Sequence, residues 1–305
     1  MFTIVQDKNL LAKLIADNGS KAVMEKLLID SGNGAKIDCH QQAHIIGRTS
    51  YKVFQVNAFT RSTYECHSGY IHGVMEGFLI DKGTTNLSAK ITGICDKFDT
   101  SFKRFECLHG VGHGLMGYEN YDLPEALTSC KRLADAFSQM SCYGGVFMEN
   151  IIAGQGQGEN YHETKWLSSD PLFPCNKVED DIAIKTECYK MQTSRVLYLN
   201  NYDFEDAIKT CLTAEESIIG TCFRSLGRDA AGHTLRNNEK MLEICSKVPK
   251  TGNYYEDCIY GAVHVIIDFW GPALKSQASD FCAKIPEQQA REYCGSYVSA
   301  STKSL

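Results

Sequence analysis

Fourteen cysteines arranged as seven successive pairs constrain this chain more than any other feature. In chain order the pairs are Cys39/Cys66, Cys95/Cys107, Cys130/Cys142, Cys175/Cys188, Cys211/Cys222, Cys245/Cys258 and Cys282/Cys294. None is left over, and in the last six pairs the partners stand 11 to 13 positions apart. The second cysteines recur every 34 to 46 residues, the period of helical-hairpin repeats. Zinc knuckles and iron–sulfur sites take paired thiolates from C-x-x-C spacings, and the chain contains none. Separations near 12 instead suit a disulfide from the end of one helix, over a short loop, to the early turns of an antiparallel neighbour. Each such clip contributes about 2–4 kcal/mol in the loop-entropy picture and persists only in an oxidising compartment. The expected location is therefore extracytoplasmic: secreted, periplasmic or at the cell surface. Sequons at Asn18-Gly19-Ser20 and Asn86-Leu87-Ser88 are compatible with that location without deciding it.

Helix signals flank the cysteines as clipped hairpins require. Asp122 is placed to cap a helix with Pro124 in its first turn and Cys130 near its end. Thr213-Ala214-Glu215-Glu216 reads as a capping box starting the helix of Cys222. Pro249 and Gly252 supply turn chemistry before Cys258. Cys39 is expected to start a helix capped by Asp38. The fold class that follows is all-α: seven disulfide-clipped hairpins forming an α/α toroid or a strongly curved α-solenoid. One domain is expected over 1–305, with capping helices in 1–38 and the seven units in 39–305. Residues 154–174, rich in glycine and polar side chains and containing His162 and Trp166, read as a lid-like loop.

Composition excludes several partners. A net charge of −6, a pI near 5.9 and the lack of any Lys/Arg block remove the attraction that nucleic acid or anionic membranes would need. No apolar run approaches the roughly 20 residues that cross a bilayer, so direct membrane insertion is not expected. The opening MFTIVQDKNLLAKLIADNGS lacks a basic end, an apolar stretch and a small-residue cleavage site, so no export signal is read in this chain.

Aligning the units on their second cysteine gives CHSGYIHGVMEG from Cys66, CLHGVGHGLMGY from Cys107, CYGGVFMENIIA from Cys142 and CIYGAVHVIIDF from Cys258. Glycine falls three positions after the cysteine in all four, as Gly69, Gly110, Gly145 and Gly261. Glycine inside a helix costs about 1 kcal/mol relative to alanine, so its recurrence calls for a close approach of backbone to backbone or to a ligand. At the sixth position stand His72, His113, Met148 and His264, with Arg228 followed by Asp229 in the fifth unit. Glu149 lies at position seven of its unit, and Glu76 and Asp268 at position ten of theirs, close to the same helical face. His40/His44 and His109/His113 are H-x-x-x-H pairs whose rings share a face and can chelate.

The stretch Gly110-Val-Gly-His113-Gly-Leu-Met-Gly117 resembles the G-x-x-H-G-x-x-G segments on inner helices of lanthionine synthetase cyclases. The resemblance spans fewer than a dozen residues per unit. It implies a toroid of seven hairpins around a central zinc. The cyclases bind that zinc with two cysteines and a histidine, whereas the cysteines here are committed to disulfides, so the architecture is carried over and the cyclase activity is not.

Three functions remain open. The first is a metal-dependent hydrolase or oxidoreductase holding Zn, Cu, Fe or Ni through His44, His72, His113, His264 and Glu149. Glu76 and Glu149 are then its catalytic carboxylates, and His40, His67, His109, Arg228, Asp229 and Asp268 orient ligands or substrate. The second is a metal-independent glycan-active enzyme with a carboxylate pair among Glu76, Glu149 and Asp229. The third is a non-catalytic scaffold whose concave face binds a peptide, glycan or protein. The histidine register itself reads as a metal site, a polar substrate lining or packing. Non-reducing peptide mapping of the native protein is expected to return seven neighbour-pair links and no titratable thiol; a long-range link would overturn the hairpin reading.

Overall fold

The computed structural model describes residues 2–32, 39–155, 164–269 and 275–301, and among these the chain is helical with no strand. Asp38, the middle of the expected lid and the side chain of Asp268 lie outside the described residues. The chain packs as two compact units, 1–162 and 163–305.

The first unit contains α1 (Phe2–Gln6), α2 (Lys8–Asn18), α3 (Ser20–Ser31), α4 (His40–Phe54), α5 (Gly69–Lys82), α6 (Leu87–Cys95), α7 (Ser101–Tyr118), α8 (Leu123–Cys130) and α9 (Ala136–Gly154). Four long helices lie side by side, α4 on α5, α5 on α7 and α7 on α9, with α6 and α8 clipped beside them. The second unit contains α10 (Ile182–Leu199), α11 (Phe204–Cys211), α12 (Ile219–His233), α13 (Asn238–Ser246), α14 (Tyr254–His264), α15 (Lys275–Ala283) and α16 (Gln288–Ser301). There α10, α12, α14 and α16 follow one another in the same manner. Among the described residues no helix is long and apolar enough to cross a membrane.

All fourteen cysteines are oxidised in the neighbour pairs expected from their spacing, with Cα–Cα distances from 5.3 to 5.7 Å. Six of the bonds tie the segment before a long helix to that helix's early turns. Cys39–Cys66 instead joins the cap of α4 to the turn before α5.

Glycine sets the spacing of the long helices, and the contacts are reciprocal. A Cβ on Gly112 would stand 2.1 Å from the Cys142 carbonyl oxygen, and one on Gly145 2.0 Å from that of His109. Gly227 and Gly261 face each other's helices identically, at 1.9 Å from Cys258 O and 1.8 Å from Arg224 O. In both pairs each glycine abuts the carbonyl three residues before its partner. Only a residue without a side chain allows such an approach, in which Cα–H groups lie against carbonyls across the interface. Close backbone packing, expected for the glycine three places after the cysteine, is thus observed. A second glycine five places after the cysteine, at Gly112 and Gly227, faces the following helix.

One helix ending recurs. After α7, α10 and α12 come two left-handed residues, Asn120-Tyr121, Asn201-Tyr202 and Leu235-Arg236. The second amide of each bonds back to Met116, Leu197 and Ala231 at 2.7, 2.7 and 2.8 Å, a six-to-one closure of the helix end. The next residue, Asp122, Asp203 or Asn237, then caps α8, α11 or α13. The cap expected at Asp122 forms. The capping box expected at Thr213–Glu216 does not. Thr213 Oγ1 donates to the Thr210 carbonyl of the preceding helix at 2.7 Å, and Glu215 accepts from Lys185. A 3-10 turn over Glu216–Ile218 therefore precedes α12.

Two alanine substitutions on α12 separate packing from propensity. Gly227→Ala drives a methyl into a backbone carbonyl and is expected to cost on the order of 1–3 kcal/mol. Gly232→Ala meets nothing within 4 Å and is expected to stabilise by up to about 1 kcal/mol. Urea unfolding without reductant measures both, and equal effects would remove glycine packing as the determinant of helix spacing.

Candidate metal centre

The site lies in the first unit, where glycine brings α4, α5 and α7 together at the residues that matter. A Cβ on Gly69 would meet His40 O at 2.6 Å, and one on Gly73 would meet His44 O at 2.0 Å. A Cβ on Gly110 or Gly114 would stand 3.1 or 3.2 Å from the Cα atoms of His72 and Glu76 respectively. Side chains at these positions consequently share one volume. The rings of His40, His44, His72, His109 and His113 are all buried, and their neighbouring centroids stand 4.5 to 5.7 Å apart. His67, half-buried, lies against His40 at 5.8 Å.

Each of four rings is anchored through one nitrogen by an acceptor at the periphery. His40 Nδ1 donates to the Cys66 carbonyl at 2.9 Å, and His44 Nδ1 to Glu76. His72 Nε2 donates to Glu106 at 3.0 Å, and His113 Nδ1 to Glu149 at 2.7 Å. Carbonyls and carboxylates cannot donate, so these partners fix the tautomers. In neutral rings held this way, the lone pairs fall on His40 Nε2, His44 Nε2, His72 Nδ1 and His113 Nε2. His72 Nδ1 and His113 Nε2 are buried without a hydrogen bond. His40 Nε2 and His44 Nε2 face each other at 3.1 Å.

Burial, followed by the neighbouring imidazoles, holds His44 and His72 well below the usual histidine range. Both are neutral near neutral pH, the form that binds metals. Two sets of ligand atoms lie within 4.8 Å of one another: His40, His44 and His72; and His44, Glu76 and His113. These buried groups could hold a metal ion.

Among the residues expected from the sequence, His72 and His113 are adjacent, stacked at 5.1 Å, and belong to different sets that share His44. His40, expected to orient, stands among the possible ligands. Glu149, expected as a ligand, is in neither set and anchors His113. His264 belongs to the second unit, where its Nδ1 meets Tyr297 Oη at 2.6 Å, and it too is in neither set. Arg228 and Asp229 form a closed ionic network in that unit: Arg228 donates to Asp229 Oδ1 at 2.6 Å, and Asp229 accepts from Thr193 and Ser194.

Three residues escaped sequence reasoning. Glu106 precedes Cys107 and is buried, and the seven-residue spacing to His113 was its available signal. Arg48, one turn beyond His44, donates to Glu76. Tyr121, from the left-handed pair after α7, is held above the usual phenol range by burial and then by Glu149 and Glu76. Its signal was the tripeptide Asn-Tyr-Asp at 120–122 and again at 201–203.

Comparison with protein-family models, curated proteins and solved structures finds no match for this chain. The functional reading accordingly rests on these residues alone.

Two histidines with lowered folded-state values give the metal-free protein a defined acid sensitivity. Below about pH 6.5 the unfolded chain binds protons at His44 and His72 that the folded chain refuses, so stability present above that value is lost as pH falls. The limiting slope is about 1.4 kcal/mol per pH unit for each group. Denaturant unfolding of chelator-treated protein between pH 7.5 and 5 is expected to show this decline, with His72→Gln reducing it. A flat profile would mean that the rings protonate in place.

Proposed function

We propose that the first unit binds a divalent transition-metal ion through His40, His44 and His72, and that the protein is an extracytoplasmic metal-dependent enzyme. The observation that carries this reading is the 3.1 Å contact of His40 Nε2 with His44 Nε2 while the other nitrogen of each ring is committed as a donor. Two lone pairs aimed at each other repel unless a proton or a metal ion lies between them, and a metal ion is the proposed occupant. With metal–nitrogen bonds of about 2.0–2.1 Å, ligand nitrogens of a tetrahedral site stand roughly 3.3 Å apart, close to this separation. Imidazole donors suit Zn, Cu or Fe. Cys66 O, Glu76 and Glu106 supply the outer hydrogen bonds that fix ring orientation at metal sites.

The enzymatic part of the reading rests on the edge of the cluster. Glu149 and Arg48 keep 17% and 20% of their side chains accessible beside otherwise sealed histidines, with Tyr121 near both. Glu149 is the candidate general base and Glu76 a ligand or second acid–base group. A small molecule, peptide or glycan substrate would enter there. The recurring disulfides, glycine contacts and helix endings support reading the chain as one array of hairpin repeats, either a closed toroid or an open solenoid.

Elemental analysis of protein purified without chelator is expected to find a stoichiometric transition metal. His44→Ala and His72→Ala should each abolish it, and Glu106→Gln should weaken affinity about 10–100-fold. Metal content unchanged in both alanine variants, with native helicity retained, would return the cluster to a packing role.

A further inference from the structure

We infer that the cluster takes a second metal ion, with His44 as a bridging ligand between the two. This deepens the preceding proposal and rests on it. His44 is common to both ligand sets and uses different faces toward them: Nε2 meets His40 Nε2, and Nδ1 meets Glu76. The second set adds His113, whose Nδ1 is occupied by Glu149 and whose buried Nε2 has no hydrogen-bond partner. An unpartnered ring nitrogen on a side chain with no exposure, beside a carboxylate and a third ring, is a built position for a cation.

Charge balance supports two stages of loading. Among the described residues, counting Glu76, Glu106 and Glu149 as carboxylates gives three negative charges, and Arg48, bound to Glu76, offsets one. One divalent ion at His40, His44 and His72 brings the sum to zero. A second divalent ion binds Glu76, His113 and His44 Nδ1. The Nδ1 proton leaves to solvent, His44 becomes an imidazolate, and the Arg48 side chain, already one-fifth exposed, is released to water. Four negative charges, three carboxylates and one imidazolate, then balance two divalent ions. Arg48 occupies the place of the second cation until that ion arrives.

Copper(II) tests the bridge directly, because two copper ions joined by an imidazolate couple their spins and lose much of their paramagnetic resonance intensity. Wild-type protein titrated with Cu(II) is expected to bind two equivalents, with a spin count well below total copper. His113→Gln and Glu76→Gln should each bind one equivalent whose spin count equals total copper, while Arg48→Met should take up the second ion at lower free copper than wild type. One equivalent in the wild type, or two with full spin intensity, overturns the bridge and leaves the single-metal reading standing. No bound copper at all overturns both. Circular dichroism of each variant guards against misfolding, and the wild-type spin count requires no variant.

Discussion

The close approach of long helices through glycine is the constraint on which this architecture depends. Gly112 with Gly145 and Gly227 with Gly261 place backbones where any Cβ would strike a carbonyl. The same approach at Gly69, Gly73, Gly110 and Gly114 falls on the backbones of His40, His44, His72 and Glu76. At ordinary helix separations of 8–10 Å these side chains would be spaced by intervening bulk. Removing that bulk costs helix propensity at each glycine and is compensated by dispersion and Cα–H···O contacts along the interface. The consequence is a volume that large apolar groups do not fill and that imidazoles from three helices share.

Such a volume is electrostatically demanding, and the polarity of its arrangement is informative. The carboxylates stand at the periphery and accept from the rings, so the lone pairs gather at the centre. A packing cluster built for stability alone would place donors against acceptors inside, because each unpaired buried polar atom costs about 1–3 kcal/mol. The second unit shows that alternative. There Arg228 and Asp229 supply their own opposite charges, and Thr193, Ser194 and Ser225 complete the network. The Arg228–Asp229 network pairs its own opposite charges, whereas the buried histidines and carboxylates of the first unit could hold a cation.

How much of this was legible in the sequence depends on the range of the signal. Cysteine pairing was readable because partners lie close in the chain and each bond closes a short loop. The glycine and histidine registers were readable because helical periodicity assigns each residue a face. His40 and His44 were readable as a chelating pair from their four-residue spacing, but which other histidines join them was not, since α4 lies outside the register counted from the second cysteines. Glu106 and Glu149 could be placed on faces but not assigned partners, because each bonds a ring on a neighbouring helix 34 or 36 residues away. Thr213 shows the same limit locally: its sequence fits a cap, and the competing carbonyl of Thr210 decides.

The disulfide between Cys39 and Cys66 ties the covalent framework to the site. It anchors the cap of α4 beside a turn in which Cys66, His67 and Ser68 all adopt left-handed backbone, with φ of 54°, 53° and 58°. Three consecutive non-glycine residues in that region are unfavourable and persist only where the surroundings enforce them. The turn aims the Cys66 carbonyl at His40 Nδ1, which fixes the ring with its Nε2 lone pair toward His44. Without the disulfide, relaxation of the turn would free that carbonyl and with it the orientation of His40. Oxidation of the first cysteine pair is therefore a structural condition for the ligand set as well as for the fold, and it binds the proposed metal chemistry to the oxidising compartment that the fourteen cysteines imply.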